Sequence, residues 1–371
     1  MKEINIAKTL VSKRREKGIT QDELAEYIGV SKASVSKWET GQSYPDITFL
    51  PQLAAYFNIS IDELMDYTPQ MTKEDIRKLY QKLASRFADA PIDDTLAECR
   101  SVIKKYYSCF PLLMQMVILL VNHHMLAEST EGKEAILREA SDLCVRIKTE
   151  SGDVRLSKEA VNMQAVCCLV LKEPQLILDL LGETIRPLMQ EEGLISQAYQ
   201  LMGNVVKAKE ISQINLYQCL ASLFGATLNY LQLCTDDFQK AEETINRALS
   251  LANIYKMEKL NPNAVIQLYV VGAHIYCANG FAEKAIDMLN KSVDVCIENL
   301  FPCTLHGDSF FDSIDAWLSD LDLGTAPPRS EKIIKESIMQ DVLLNPAFAG
   351  LADDPGYKSA VQKLKNFIGE N

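Results

Sequence analysis

Helix start and stop signals follow one another closely at the beginning of this chain, which leaves room only for short helices joined by tight turns. Thr20 and Glu23 have the spacing of a capping box, in which each side chain accepts a hydrogen bond from the other residue's backbone. Gly29 supplies a left-handed turn after that helix, Ser31 can cap the next one, and Gly41 ends it. Before them, Ile6 and Leu10 recur at helical spacing and mark a first helix that Gly18 ends, so three short helices are predicted.

Two further helices are predicted downstream. Thr48 can cap a fourth helix, because Pro51 then lies in the first turn, where the missing N–H of proline costs nothing. Ser60 and Glu63 repeat the capping-box spacing and begin a fifth helix.

The rest of the chain is predicted to consist of helices, because apolar residues recur at helical spacing and no alternating strand pattern appears. We therefore expect an all-α fold with a five-helix domain over residues 1–66, a linker over 67–72 and a helical-repeat domain over 73–371. Residues 190–235 fit one long helix or two short ones. Two segments look like copies of one unit, with Phe238, Ala241, Ile245 and Ala248 matching Phe281, Ala285, Leu289 and Ser292.

Composition narrows the class of protein. Hydrophobic residues make up 47% of the 371 residues, which indicates a folded chain. The ten cysteines form no CxxC pair and no secretory signal is present, so we expect reduced thiols and a cytoplasmic location. The longest apolar run, residues 112–121, falls short of the ~20 residues needed to cross a bilayer. It indicates a buried helix, and no membrane association is expected.

Charge is distributed unevenly along the chain. The net charge is −12, but residues 1–37 carry eight Lys or Arg against five Asp or Glu, an excess of three. The other 334 residues therefore carry −15. An acidic body behind a weakly basic head suits selective, salt-sensitive binding to DNA and argues against general coating of nucleic acid.

The segment from Thr20 to Gly41 meets the needs of a helix-turn-helix, whose second helix enters the major groove of DNA. Its predicted inward residues are Leu24, Ala25, Ile28, Val30, Val35 and Trp38. Its predicted outward residues are Lys32, Ala33, Ser34, Ser36 and Lys37.

This segment resembles the helix-turn-helix of the Cro and phage-repressor (Xre) family, and the resemblance extends over residues 4–66 in a λ-repressor-like, five-helix arrangement. The resemblance implies that Gln21 binds a phosphate or supports the reading helix. It also implies that Lys32, Ala33, Ser34 and Lys37 face the bases of an operator in double-stranded DNA. Lysines stand where several phage repressors carry glutamines, which favours contacts to guanine.

Four basic residues of the first helix have two interpretations. Lys13, Arg14, Arg15 and Lys17 either form a solvated helix face or help to steer DNA. The sequence leaves both open.

The helical body resembles tetratricopeptide-like arrays, and the whole layout is similar to bacterial peptide-sensing regulators of the Rap, Rgg, NprR, PlcR and PrgX group. The resemblance implies a homodimer whose body binds a short regulatory peptide. Asparagine amides can pair with a peptide backbone, so the candidate ligand residues are Asn162, Asn204 and Asn229, with Tyr230 and Tyr269 nearby. Two alternatives stay open: an adaptor docked at a promoter that binds a partner protein, and a constitutive repressor whose body only dimerises.

Several residues that invite chemical roles have better structural explanations. His123 and His124 have no further ligand at metal-binding spacing. Cys167 and Cys168 lie in an apolar stretch typical of inert core thiols, with redox sensing as the alternative. No nucleotide-binding, nucleophile-elbow or zinc-protease motif occurs. We expect no enzyme, no metal and no other cofactor.

Overall fold

The structure, a computed structural model, describes residues 5–67, 70–185, 187, 191–234, 236–340 and 345–369. Every regular element in these ranges is helical, which confirms the all-α prediction. The chain divides into two compact units. The first comprises Met1–Ile76, Leu96–Val117 and Ser141–Gln164, and the second comprises Arg77–Thr95, Ile118–Ala140 and Ala165–Asn371. The predicted division at residues 67–72 stays a prediction.

The first unit begins with five helices whose capping signals work as the sequence indicates. The Thr20 hydroxyl accepts from the Glu23 N–H, and the Glu23 carboxylate accepts from the Thr20 N–H. Gly29 has a φ of 81°, a left-handed conformation that glycine adopts without strain. The helices are α1 (Ile6–Glu16), α2 (Gln21–Ile28), α3 (Lys32–Glu39), α4 (Leu50–Phe57) and α5 (Ile61–Leu64).

One predicted cap is wrong. Asp46, not Thr48, begins the fourth helical region, because its carboxylate accepts hydrogen bonds from both the N–H and the hydroxyl of Thr48. This places a short 3₁₀ turn, Ile47–Phe49, ahead of α4, while Pro51 lies in the first turn of α4 as predicted. A charged carboxylate accepts such bonds more strongly than a hydroxyl does.

All five helices contribute to one apolar core. Leu10, Leu24, Val35, Leu53 and Leu64 are completely buried there, one from each helix. The remaining core members are Ile6, Ala25, Ile28, Trp38, Ala54 and Phe57.

Five longer helices follow, and both compact units take segments from them: α6 (Lys73–Asp89), α7 (Ile92–Lys105), α8 (Phe110–His123), α9 (Thr130–Glu150) and α10 (Val154–Val170). The apolar run 112–121 lies within α8 and is mostly buried, as predicted. Within the described ranges, no helix combines the length and apolar character needed to span a membrane.

The remainder of the second unit is also helical. Residues 191–233 form two helices, separated by a turn in which Gly203 has a φ of 77°. The helices are α11 (Pro174–Leu181), α12 (Glu191–Leu201), α13 (Val205–Leu233), α14 (Phe238–Ile254), α15 (Met257–Leu260), α16 (Pro262–Ala278), α17 (Ala282–Val295), α18 (Asp315–Asp320), α19 (Glu331–Ile338) and α20 (Pro355–Ile368).

The two segments predicted to be copies of one unit bury equivalent positions. Ala241 and Ile245 on α14, and Ala285 and Leu289 on α17, are completely inaccessible to solvent. The equivalent Phe238 and Phe281 stack on each other, with ring centroids 4.8 Å apart. Tetratricopeptide-like repetition over the whole body stays a prediction.

His123 is a core residue. Its imidazole stacks on Phe87 with ring centroids 4.4 Å apart, and Nδ1 lies 2.8 Å from the carbonyl oxygen of Leu119. Burial lowers the pKa of His123 to about 4, with a smaller contribution from the positive charge of Arg329. The histidine is therefore neutral in the folded protein at physiological pH.

We predict that His123→Phe flattens the acid side of the stability profile. An unfolded histidine titrates near pH ~6.5, so wild-type stability should fall as the pH drops from there to about 4. The loss should reach about 3 kcal/mol, because each pKa unit corresponds to about 1.4 kcal/mol. Urea unfolding at several pH values measures it. His124→Phe is the control; an identical pH profile for His123→Phe and wild type would contradict the prediction.

Candidate functional site

The α2–turn–α3 segment presents one face of α3 to solvent. The predicted inward residues are buried, except that Val30 is half-buried against the same core. Of the predicted outward residues, Lys32, Ala33 and Lys37 are exposed, and Ser34 and Ser36 are half-buried. The Ser34 N–H is already bonded to the Ser31 hydroxyl, which caps α3. The exposed face therefore offers two cations flanking a small methyl group, a surface that suits the edge of a major groove.

Lys32 has a partner within the domain. Its Nζ lies 2.6 Å from a carboxylate oxygen of Asp22, near the start of α2. Both side chains are more than half exposed, so the pair contributes little to stability and can be exchanged for a contact to DNA.

Gln21 belongs to a half-buried network that ties the ends of three helices together. The Glu39 carboxylate at the end of α3 accepts hydrogen bonds from Arg14 Nε at 2.6 Å and Nη2 at 2.9 Å, and from Gln21 Nε2 at 2.9 Å. Arg14 Nη1 also donates to the carbonyl oxygen of Ile19. Gln21 is thus placed to support the reading helix, one of the two roles that the resemblance implies.

The electrostatics of this network favour the charged forms. Burial by itself would raise the pKa of Glu39, but the hydrogen bonds from Arg14 and Gln21 outweigh it and hold that pKa below its usual value. The hydrogen bond to Glu39 raises the pKa of Arg14. The side chain of Arg14 is only 15% exposed and that of Glu39 only 5%, so most of the surface of both charged groups is covered by the protein.

The basic residues of α1, for which a solvated face and a role in steering DNA were both open, differ in their surroundings. Arg14 is a structural partner of Glu39 rather than a member of a solvated face. Lys17 donates to the Tyr56 carbonyl oxygen and lies 4.0 Å from the centre of the Tyr56 ring. Lys13 pairs with Glu16 on the surface. The sequence pattern identified these charges but not their partners.

The five residues predicted to bind a ligand do not form one compact cluster. Asn204 caps α13 by accepting from the Lys207 N–H, so it precedes the helix instead of lying within it. Asn229 and Tyr230 are exposed near the other end of α13, about 38 Å away at 1.5 Å per residue. Tyr269 is buried with its hydroxyl 3.4 Å from Glu258, and Asn162 is exposed on α10.

Two cavities of about 310 Å³ each lie in the second unit, and their linings include none of these five residues. Asn263, Arg329 and Ile334 line both of them. Arg329 donates a hydrogen bond to the Ser337 hydroxyl at 3.3 Å. The residues that line the two cavities include the positively charged Lys259 and Arg329, and they include no Asp or Glu. No sequence motif marks this site, because its walls come from segments more than a hundred residues apart.

The tempting cysteines and histidines gain no chemical role from the structure. Cys167 and Cys168 are buried, and burial raises the pKa of Cys167 to about 11, which keeps it as an unreactive thiol. Within the described ranges, no three His, Cys, Asp or Glu side chains are grouped to hold a metal ion.

Similarity to known proteins is strongest over the amino-terminal helices. A helix-turn-helix family model matches residues 10–64. The amino-terminal domain is a helix-turn-helix domain of the Xre type. Over 73 residues the chain is 34% identical to the HTH-type transcriptional activator BcrR of Enterococcus faecalis, a match that covers 18% of this chain and 36% of that protein. These matches concern a regulator and not an enzyme, in agreement with the sequence-based expectation.

Solved structures provide longer but looser matches. The apo form of ComR from S. thermophilus is 14% identical with a TM-score of 0.23, and the match covers 79% of this chain and 93% of that one. The apo form of the competence regulator ComR from Streptococcus vestibularis is 14% identical with a TM-score of 0.25, over 86% and 98% of the two chains.

We predict that Glu39→Gln destabilises the helix-turn-helix domain by about 3–5 kcal/mol, because it leaves the half-buried Arg14 without its counter-ion. Chemical unfolding of the full chain in a Trp317→Phe background, in which Trp38 is the only tryptophan, measures the change by fluorescence. Glu16→Gln is the matched control: its exposed pair with Lys13 should be worth less than about 1 kcal/mol. Equal losses of unfolding free energy in the two variants would show that the Arg14–Glu39 pair contributes no more to stability than an exposed ion pair.

We predict that Lys32→Ala or Lys37→Ala weakens operator binding by about 1–3 kcal/mol and relaxes preference at one position if the lysine reads a base. A phosphate contact would instead weaken all sequences alike and lower the salt slope by about one. Asp22→Asn should strengthen binding, because it frees Lys32 and removes a negative charge. Fluorescence anisotropy measures each affinity.

The control for these substitutions is Lys240→Ala, which removes a surface lysine of α14. Unchanged operator affinity in the Lys32→Ala, Lys37→Ala double variant would refute the assignment of α3 as the reading helix.

Proposed function

We propose that this protein is a transcription regulator that binds a DNA operator through α3, acts as a homodimer and is controlled by a short peptide bound to its helical body. The observation that carries the DNA-binding part is the geometry of α3: Lys32, Ala33 and Lys37 face solvent while Val35 and Trp38 anchor the helix in the core. A helix held in this way can be inserted into a major groove without rearrangement.

The charge distribution supports selective binding. The excess of positive charge over residues 1–37 is only three, and the rest of the chain carries −15. One head of this size offers limited contact area, so two heads acting together are needed for a specific affinity. A symmetric dimer reads an inverted repeat, with half-site centres about 34–36 Å apart or a multiple of that.

The two cavities around Asn263 and Arg329 support the peptide part. The Asn263 amide offers both a donor and an acceptor to a peptide backbone, while Arg329 offers paired donors to a carboxylate. Apolar residues such as Ile266 and Leu300 complete the walls and suit the side chains of a hydrophobic peptide. A site of this composition accepts a ligand with a free carboxylate more readily than a basic one.

The DNA-binding part is tested by selecting bound duplexes from a random pool with the full-length protein. An inverted repeat with a defined spacing is expected. Selection of no sequence above background would overturn the proposal that the domain reads an operator.

The peptide part is tested with synthetic peptides encoded by short reading frames beside the gene. A cognate peptide should change operator affinity about 5- to 150-fold, and operator DNA should change peptide affinity by the same factor. Arg329→Gln should abolish the response while leaving peptide-free operator binding intact. Arg247→Gln, which removes an exposed arginine of α14, is the control.

Two results would redirect this proposal. If no such peptide alters DNA binding but the body binds a folded partner at a promoter, the adaptor interpretation replaces it. If neither ligand acts and the protein still binds its operator as a dimer, the body serves only for dimerisation.

A further inference from the structure

Helix α13 is apolar on two opposite sides. Its inner side packs against α12, α14 and α16 and buries Tyr217, Leu220, Phe224 and Leu231. A helix in a globular protein usually carries polar residues opposite such a face. On α13 the opposite side is also apolar, so one of its two apolar faces has no cover within the described chain.

The exposed apolar side follows the spacing of a coiled-coil seam. Steps of three and four residues alternate along it, as at positions a and d of a heptad. Its central and carboxyl-terminal members are Leu216, Cys219, Leu223, Ala226, Tyr230 and Leu233, all exposed to solvent. Leu216 is 48% exposed, Leu223 46%, Tyr230 45% and Leu233 76%.

The apolar part of the seam runs from Leu216 to Leu233; nearer the start of the helix the same positions hold Lys209 and Ser212, whose hydroxyl is hydrogen-bonded to Ser196 of α12. At 1.5 Å per residue the apolar part is about 26 Å long, and a strip about 10 Å wide covers about 260 Å². This approaches the size of the largest apolar patch on a typical monomer, which often serves in binding.

The charge pattern limits what can cover the seam. Residues 211–233 include no Asp, Glu, Lys, Arg or His, although the chain carries a net charge of −12. Two copies of such an acidic chain repel each other over most of their surface, but not here. A partner must itself present a long uncharged apolar strip, and α13 of a second copy does so.

We propose that α13 forms the homodimer interface by pairing antiparallel with α13 of a second copy; this inference rests on the homodimer proposed above. An antiparallel pair sets positions a against positions d. Leu216 then faces Ala226 of the other copy and Cys219 faces Leu223, so large side chains meet small ones.

A parallel pair would be less favourable for two reasons. It would set Lys209 against Lys209 of the other copy, and it would alternate layers of large side chains (Leu216, Leu223, Tyr230) with layers of small ones (Ser212, Cys219, Ala226). In the antiparallel pair, Lys209 lies beside Leu233, near the negative end of the other helix dipole. The arrangement is isologous and closes as a twofold dimer.

The first test compares full-length variants by analytical ultracentrifugation. Wild type should be dimeric at micromolar concentration, and Leu216→Lys with Leu223→Lys should raise the dimer dissociation constant by about 100-fold or more, since each lysine is placed in an apolar seam. Leu194→Lys, at an exposed leucine of α12 outside the seam, should leave it unchanged. Circular dichroism checks that both variants fold.

The second test determines the direction of pairing by oxidative cross-linking. Ser222 lies beside the midpoint of the antiparallel pair, so Ser222→Cys in a Cys219→Ser background should give a disulfide-linked dimer. Efficient cross-linking through native Cys219, with none through position 222, would indicate a parallel pair and overturn the antiparallel proposal.

The outcomes separate this inference from the proposed function. A wild-type monomer with and without DNA would refute the homodimer itself. A double-lysine variant that stays dimeric would refute α13 as the interface while leaving the homodimer intact. If that variant stays dimeric but loses its response to a peptide, the seam is a ligand groove and the inference is wrong.

Discussion

The ion pair between Arg14 and Glu39 is the contact on which the placement of the reading helix depends. It joins the end of α1 to the end of α3, and Gln21 adds the start of α2 to the same carboxylate. Replacing a buried ion pair by apolar residues often costs no stability, so its value here lies in fixed geometry rather than in energy. Base readout requires this, because side chains on α3 must reach their partners within a fraction of an ångström.

Most of the amino-terminal fold could be predicted because its signals are local. The capping boxes at Thr20 and Ser60 involve residues three positions apart, and the left-handed turn at Gly29 depends on that residue alone. The prediction that Thr48 caps the fourth helix was wrong, and the cause is also local. Two candidates only two positions apart, Asp46 and Thr48, compete for one helix start, and the Asp46 carboxylate accepts hydrogen bonds from both the N–H and the hydroxyl of Thr48.

The site residues were less predictable because their roles depend on distant partners. Periodicity indicates which side of α1 faces inward, but not that Arg14 meets a carboxylate 25 residues away. The same limit applies to the cavities, where Asn263 and Arg329 come together from separate segments. Asn204 shows the converse: an amide that suits a ligand is already used to cap α13.

The long helix α13 explains why residues 190–235 had no single interpretation in the sequence. Helical periodicity is visible only when one side is polar, and α13 carries apolar residues on both the side that packs inward and the side of the seam. If that second side pairs with another copy, the weak periodicity has a physical cause: the sequence of one helix specifies two interfaces. Asn229 and Tyr230, selected as ligand residues for their amide and ring, then gain a different role. Tyr230 occupies the seam itself, and Asn229 lies at its edge, where a polar side chain can remain in contact with water.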